Sequence, residues 1–558
     1  MITAFRKYLL FVLTALMLTS CAVQRSPQGG DRDKEPPKIL ASEPLNESVN
    51  FNDNQIVMEF DEYVVLQGAS KELIISPPLK YPVEFKQRKK KLFISWKDTL
   101  QENTTYLFQF GKGIVDLNEN NPLDSNVFVF STGPYLDSFE ISGNIINAFD
   151  RKAEPDIWVM LYEEDNDSLP YKEIPRYIGK TDSKGDFQIK YMQPKEYKLF
   201  ALKPINAGYT YDVTGEGIGF ADGMIEAAAP EIRDTTETQD STAMEYQRSL
   251  EIRMFIEDDS TQYVKSFAQI KNQGLILEFN RPLDSLTLAE LTGNEDVKTW
   301  TENWSTDRDS VTYWFQAKND YDSLKLVMES ENFIDTIFFR KPKEIASGRR
   351  AKDSEKERLT LTNSLSGKQP HFSPWHVRSE TPIVQIGPLD SFVFTENKDT
   401  VDFKPYFQQT FYGFTLGYPW KQDASYSLLI PDSSIFDRFG YTNDSLKFSF
   451  SASRNEDYGQ LVIKYQLDDV DHPFLWELLT ADGKLVDRRS VDPIGQIAYE
   501  HLKTGKYQIK ITYDENGNGK WDTGYYRGKR QPERVRFHDE QIEIRSNWAS
   551  EIEWILED

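Results

Sequence analysis

One cysteine, Cys21, in 558 residues is the sharpest shortage in this sequence. A lone thiol excludes an internal disulfide framework, so Cys21 must have another use. Histidine is nearly as scarce, with His371, His376, His472, His501 and His538 the whole supply. None has an H-E-x-x-H spacing, and His371 and His376 sit in HFSPWH, whose proline marks a loop rather than a zinc site. A G-x-S-x-G elbow and a phosphate loop are also missing. The glycine-rich GEGIGF at Gly215–Phe220 is followed by no helical pattern that would cradle a phosphate. Carboxylates are so abundant that a glycosidase-like pair cannot be read by inspection. Net positive charge is lacking too: a formal charge of −24 argues against a nucleic-acid binder, which needs a basic face. Two local basic runs, KQRKKK at Lys86–Lys91 and RRAK at Arg349–Lys352, read as ordinary charge patterning, the first as a solvated hairpin turn.

What is present suits a string of small β domains. At this length roughly three to five separate cores are expected. With 39% hydrophobic and 13% aromatic residues the chain can fill them, and its Tyr, Phe, Trp and Val favour pleated surfaces. Ile56, Met58 and Phe60 alternate with polar neighbours in QIVMEF, and Leu92, Ile94 and Trp96 do so in KKLFISW. Such period-two runs, bounded by Asn, Asp, Pro and Gly, are the signal of antiparallel sandwiches.

The N-terminus reads MITAFRKYLLFVLTALMLTSC, with basic Arg6 and Lys7, an apolar stretch from Tyr8 to Leu18, and small residues before Cys21. It is a targeting segment, too short to span a bilayer comfortably. Leu-Thr-Ser-Cys resembles the lipobox of bacterial lipoproteins. That resemblance implies a signal peptide over 1–20 and a Cys21 acylated with palmitate-type chains, which hold the body at a membrane. Residues 21–37 carry Gly, Pro and mixed charge and read as a flexible tether. Ala22 is not the aspartate that retains many lipoproteins at an inner membrane, so by the family rule the anchor points to the cell outer membrane. Whether the body faces the periplasm or the outside stays open.

Beyond the tether, PPKILASEP, IVMEFDEYV and the closing TYLFQFGKGIVDLNENNPLDSNVFVFSTG resemble a bacterial Ig-like domain of the SbsA type over 38–134. The segment 135–208, with Gly143, Thr181, Gly185-Asp186-Phe187 and Tyr197, resembles the carboxypeptidase regulatory-like, or transthyretin-like, sandwich, a spacer or binding module. Residues 209–248 lose periodicity and read as linker or loop. A second Ig-like sandwich is expected over 249–340, a charged linker over 341–372, a further Ig-like sandwich over 373–454 and a C-terminal transthyretin-like one over 455–558. The internal comparison is direct. Tyr426, Asp437, Phe448 and Phe450 repeat Tyr106, Asp116, Phe128 and Phe130, and LKTGKYQIKITYD repeats MQPKEYKLFALKP.

The best local motif is DENGNGKWDTG at Asp514–Gly524. Asp514, Asn516, Asn518 and Asp522, with the backbone carbonyl of Lys520, present hard oxygens in a tight loop, resembling the D-x-N-x-N-G start of calcium loops. Tyr525 stands where an EF-hand has its bidentate Glu, so two readings stay open: a structural Ca²⁺ site, or an Asn-Gly hairpin turn with no cofactor. Asp followed by Ser or Thr and an aliphatic residue or Thr recurs at Thr99, Ser168, Thr235, Ser241, Ser285, Ser310, Ser323, Thr336, Thr400 and Ser445. It resembles the O-glycosylation sequon of Bacteroidota. The alternative is that Asp-Ser and Asp-Thr simply start strands.

Together these features resemble the Ig-like-domain lipoproteins of Bacteroidota. The resemblance implies an all-β row of Ig-like and transthyretin-like sandwiches behind a lipoprotein signal peptide. It is expected to be no enzyme but a scaffold or accessory subunit of an outer-membrane envelope complex for assembly, secretion or uptake. Its expected partners are the membrane, through the anchor, and envelope proteins such as an outer-membrane β-barrel and other lipoproteins, with no nucleic acid. A surface adhesin or glycan binder is the alternative, and a polysaccharide- or peptidoglycan-active enzyme the third.

Overall fold

The computed structural model describes residues 33–230 apart from 125, 206–207 and 213–214, and 250–556 apart from 271–273, 291–300, 316–322, 332, 341–357, 366 and 469–471. Two compact units result, one holding residues up to 147 with 152–254, the other 148–151 with 255–558. Both are built from β-sandwiches, two in the first unit and three in the second. No helix among the described residues is long and apolar enough to cross a membrane.

Alternation in the sequence becomes alternation of burial. QIVMEF forms the strand Gln55–Phe60 with Ile56, Met58 and Phe60 fully buried, and Leu92, Ile94 and Trp96 close the same core. In the first sandwich Ile39–Glu43, Gln55–Phe60, Lys91–Ser95 and Glu84–Arg88 lie side by side in that order, facing a second sheet of Ile74–Ser76, Thr105–Gln109 and Val127–Ser131. The fourth sandwich repeats the plan with Leu361–Asn363, Trp375–Ser379, Gly413–Leu416 and Phe407–Thr410 in one sheet. The third repeats that four-stranded order with Val264–Ile270, Gly274–Phe279, Ser310–Trp314 and Thr301–Trp304.

The matched residues of the first and fourth sandwiches do the same work. Tyr106 Oη accepts the N–H of Gln101 at 2.9 Å and Tyr426 Oη that of Lys421 at 2.8 Å, each five residues upstream. Each ring stacks on its cross-strand partner, Phe130 at 5.7 Å and Phe450 at 5.8 Å. Asp116 gathers the N–H groups of Asn118, Glu119, Asn120 and Asn121, and Asp437 those of Phe439 and Tyr441. Burial pushes the Asp116 carboxyl up, but the backbone N–H groups outweigh it and hold it below the usual carboxylate range.

The second sandwich corrects the sequence reading. Its seven strands form one sheet in the order Tyr177–Lys180, Trp158–Tyr162, Glu196–Lys203, Gly217–Glu226, Glu251–Ile256, Phe139–Asn147 and Asp186–Met192. Tyr177 on one edge and Phe187 and Ile189 on the other share a single core, so the sheet folds over on itself. Gly217–Glu226, assigned above to a linker over 209–248, is thus a strand, and GEGIGF belongs largely to it. Glu251–Ile256, assigned above to a second Ig-like unit over 249–340, pairs in parallel with Phe139–Asn147 and belongs to this sandwich. Parallel pairing joins segments far apart in sequence, which leaves no local turn signal to read.

The fifth sandwich has the same closure: Ala549–Ile555 runs parallel to Tyr458–Gln466. A glycine sits at the crossing in both. A Cβ on Gly143 would lie 2.4 Å from the carbonyl oxygen of Leu250, and one on Gly459 would lie 2.5 Å from that of Arg545. The next residue in each case, Asn144 or Gln460, donates its N–H to the incoming segment, to Leu250 O or Trp548 O, at 2.9 Å.

Candidate functional sites

The Asp514–Gly524 loop leaves the strand Gly505–Tyr513 of the fifth sandwich and is closed by its own polar groups. Gly517 at φ 70° and Gly519 at φ 73° supply the left-handed turns that other residues resist. Asp514, 1% exposed, accepts Asn518 N–H at 3.0 Å and Gly519 N–H at 2.8 Å. Asn518 Oδ1 accepts the N–H of Lys520 at 2.8 Å, and Asn518 Nδ2 donates to Asp522 Oδ2 at 2.8 Å, as Asn516 Nδ2 also does.

Glu533, nineteen residues after Asp514, completes the loop and was not expected from the motif. Its two oxygens accept the N–H groups of Glu515 at 3.0 Å and Asp522 at 2.9 Å, and its backbone carbonyl accepts Trp521 Nε1–H at 3.0 Å. Burial, then the charges of Asp522 and Asp514, push its carboxyl up to about 7, against the two N–H bonds. Its distance in sequence hid it; the only signal is an acid opening the short alternation ERVRF. Three carboxylates and two side-chain amides are the right chemistry for a hard cation. Here, though, the amides turn N–H₂ groups toward Asp522, and among the described residues no three His, Cys, Asp or Glu side chains are gathered to hold a metal. A bound Ca²⁺ would need those amides to present oxygen instead.

Of the candidate O-glycosylation residues, Thr99, Ser285 and Ser445 are exposed on irregular backbone, and Thr400 is exposed in the two-residue strand Asp399–Thr400. Thr336 is exposed within Phe333–Arg340. Ser310 and Ser323 are the half-buried first residues of strands, and half-buried Ser168 directly precedes a short helix, its hydroxyl on Asn166 Oδ1. Thr99 and Ser168 line one polar cleft of about 660 Å³ between the first and second sandwiches, with Lys80, Asp98, Lys172 and Arg176. The joint there is directly bonded, with Ile178 N–H on Ser76 Oγ at 3.1 Å and Arg176 Nη2 on Thr104 Oγ1 at 3.2 Å. Cys21, Thr235, Ser241 and the Arg349–Lys352 run lie outside the described residues.

One further feature was not read from the sequence. Glu477 and Lys510, directly opposed on adjacent strands of the fifth sandwich, form a buried pair at 3.0 Å, with Arg488 also on Glu477 at 2.8 Å. Burial holds Lys510 below the usual lysine range despite Glu477. The aromatics near the loop divide: Tyr526 and Trp554 are buried, Trp521 is half-buried, and Tyr525 and Trp548 are exposed.

In comparison with known proteins, residues 33–132 match the bacterial Ig-like domain family, a stretch that covers the first sandwich. No curated protein matches the chain. Among solved structures, the Bacillus anthracis TIE protein is similar at 9% identity over 95% of this chain and 76% of that one, with a TM-score of 0.15. The S-layer protein rSbsC(31-844) is similar at 9% identity over 85% and 65%, with a TM-score of 0.14. The BSP domain of a biofilm-associated protein gives 9% over 89% and 94%, with a TM-score of 0.13. Superpositions this loose carry no argument, and the Ig-like match stands by itself.

Proposed function

We propose that this chain is a lipid-anchored, non-catalytic scaffold or accessory subunit of an outer-membrane envelope complex, holding partner proteins on the faces of its sandwiches. The observation that carries the reading is the repetition of two sandwich plans behind a lipobox-like Leu-Thr-Ser-Cys21. Several small β domains on one anchored chain offer several separate binding faces. The second and fifth sandwiches take the regulatory-like, transthyretin-like role, and the chain belongs with the Ig-like lipoproteins of Bacteroidota. Calcium bound by Asp514, Asn516, Asn518, Asp522 and the Lys520 carbonyl would brace the fifth sandwich rather than react. Exposed Thr99, Ser285, Thr400 and Ser445 are the sites best placed for O-glycosylation. The test is affinity purification from native membranes in mild detergent, beside a Cys21→Ala variant. Stoichiometric recovery of an integral β-barrel and other lipoproteins with the native chain supports the reading. Recovery of the bait alone, with acylation intact, refutes it and shifts attention to glycan arrays.

A further inference from the structure

On a chain of net charge −24, five exposed cations crowd one hairpin tip. Glu84–Arg88 and Lys91–Ser95 pair antiparallel with Arg88 opposite Lys91, so Lys89 and Lys90 form the turn, Lys89 at φ 54°. Lys91 pairs with Glu59 at 3.0 Å and Lys90 donates to the carbonyl of Asp61. Among the described residues, the side chains of Lys86, Arg88 and Lys89 make no ion pair or hydrogen bond. Charged side chains on an edge strand discourage edge-to-edge pairing, which accounts for Lys86 and Arg88. It does not account for lysines in the turn itself.

The tip lies where the chain enters the first sandwich. Ile39 opens the first strand opposite Phe60, Glu59 is opposite Lys91, and Lys91 is opposite Arg88, so all four strand ends share one end of the sheet. At roughly 4.8 Å per strand, entry and tip are about 10–15 Å apart. Asp61 ties them together: its N–H bonds Lys38 O at 3.1 Å, its Oδ1 accepts Lys38 N–H at 2.8 Å, and its carbonyl accepts Lys90. The twelve residue steps from Cys21 to Asp33 span at most about 43 Å even when fully extended.

We propose that the Lys86–Lys91 tip rests on anionic, phosphate-bearing headgroups of the membrane that holds Cys21, a second contact that sets the orientation of the first sandwich. This rests on reading Cys21 as the lipid anchor. The acidic body does not prevent it, because charges more than about 8 Å from the surface are screened at physiological salt while the tip is not. A short basic cluster beside a lipid anchor is also the arrangement by which peripheral proteins gain a second hold on a bilayer.

The experiment uses the chain from Ala22 on, which keeps every described residue and cannot be acylated at Cys21. It is sedimented with phosphatidylcholine vesicles and with vesicles that also contain phosphatidylglycerol, at low and high salt. Binding is expected only to the anionic vesicles, to fall with salt, and to drop on the order of a hundredfold in K86Q/R88Q/K89Q, about fivefold per cation. Lys89→Gly relieves the left-handed turn while removing one charge, so it should bind about fivefold more weakly without losing stability. Equal binding of the native and triple-variant chains, or equal binding to both vesicle types, overturns the proposal. Palmitate labelling of the full chain against Cys21→Ala tests the anchor separately. Labelling without vesicle binding overturns the tip contact alone, and vesicle binding without labelling supports the contact while removing the anchor.

Discussion

Glu533 offers a quantitative test of how the Asp514–Gly524 loop is held. Its carboxyl stands at about 7 in the folded chain against an ordinary 4.5, so folding favours the protonated form. A raised carboxyl gives stability that is complete below about pH 4.5 and is lost as pH rises through about 7. The loss is about 3 kcal/mol, from roughly 1.4 kcal/mol for each tenfold change. Glu533→Gln does not titrate there. Replacing an oxygen by N–H₂ costs one of the two backbone N–H partners, about 1–3 kcal/mol, but that cost is the same at every pH. The stability of the native chain relative to the variant should therefore fall by about 3 kcal/mol between pH 4.5 and 8, cancelling or reversing its advantage. Because several sandwiches unfold separately, the readout is hydrogen exchange of amides in Gly505–Tyr513 and Phe474–Thr480 rather than one global melt. A difference flat to within about 0.5 kcal/mol across that range refutes the reasoning. Repeating the measurement with millimolar calcium at pH 7.5 decides between the two readings of the motif: a bound ion restores the native chain's lost protection and does less for the variant.

Tyr426→Phe should leave the Lys421 N–H without its acceptor and lower the stability of the fourth sandwich by about 1–3 kcal/mol, with Tyr106→Phe doing the same in the first; urea-dependent hydrogen exchange reads both. Gly143→Ala forces a Cβ against Leu250 O, so the closing strand Glu251–Ile256 should lose amide protection first, at a cost of about 1–3 kcal/mol. Lys510→Met should destabilise the fifth sandwich by about 3 kcal/mol because Glu477 keeps its burial but loses its buried partner, and Glu477→Leu with Lys510→Met should recover most of that in denaturant titration. Mass spectrometry of protein from its native host should find O-glycans at Thr99, Ser285 or Ser445 before Ser310 or Ser323, whose side chains are half-buried at strand starts.

The strands that pair with sequence neighbours were legible because period-two burial is a local property: Ile56, Met58 and Phe60 announce both the strand and its inner face. So was the repetition of Tyr106 and Asp116 in Tyr426 and Asp437, since each anchors contacts within a few residues of itself. Glu251–Ile256 was not legible, because its partner lies over a hundred residues upstream and EIRMFI looks like the opening of whatever follows. The place of Gly143 in its strand was visible, but its cause, the Leu250 carbonyl crossing it, was not. Glu533 was hidden for the same reason. The calcium-type spacing in Asp514–Asp522 names the loop's own donors and says nothing of an acid supplied from across the turn.

The parallel closure of the second and fifth sandwiches also decides how each would respond to tension. When first and last strands run side by side in the same direction, the chain enters at one end of the module and leaves at the other. A pull along the chain then slides the two strands past each other, and the hydrogen bonds between them must break together rather than one by one. Seven residue pairs join Tyr458–Gln466 to Ala549–Ile555, against four joining Phe139–Asn147 to Glu251–Ile256. Stretched singly, the fifth sandwich should give way at the higher force, so of these two modules the second yields first.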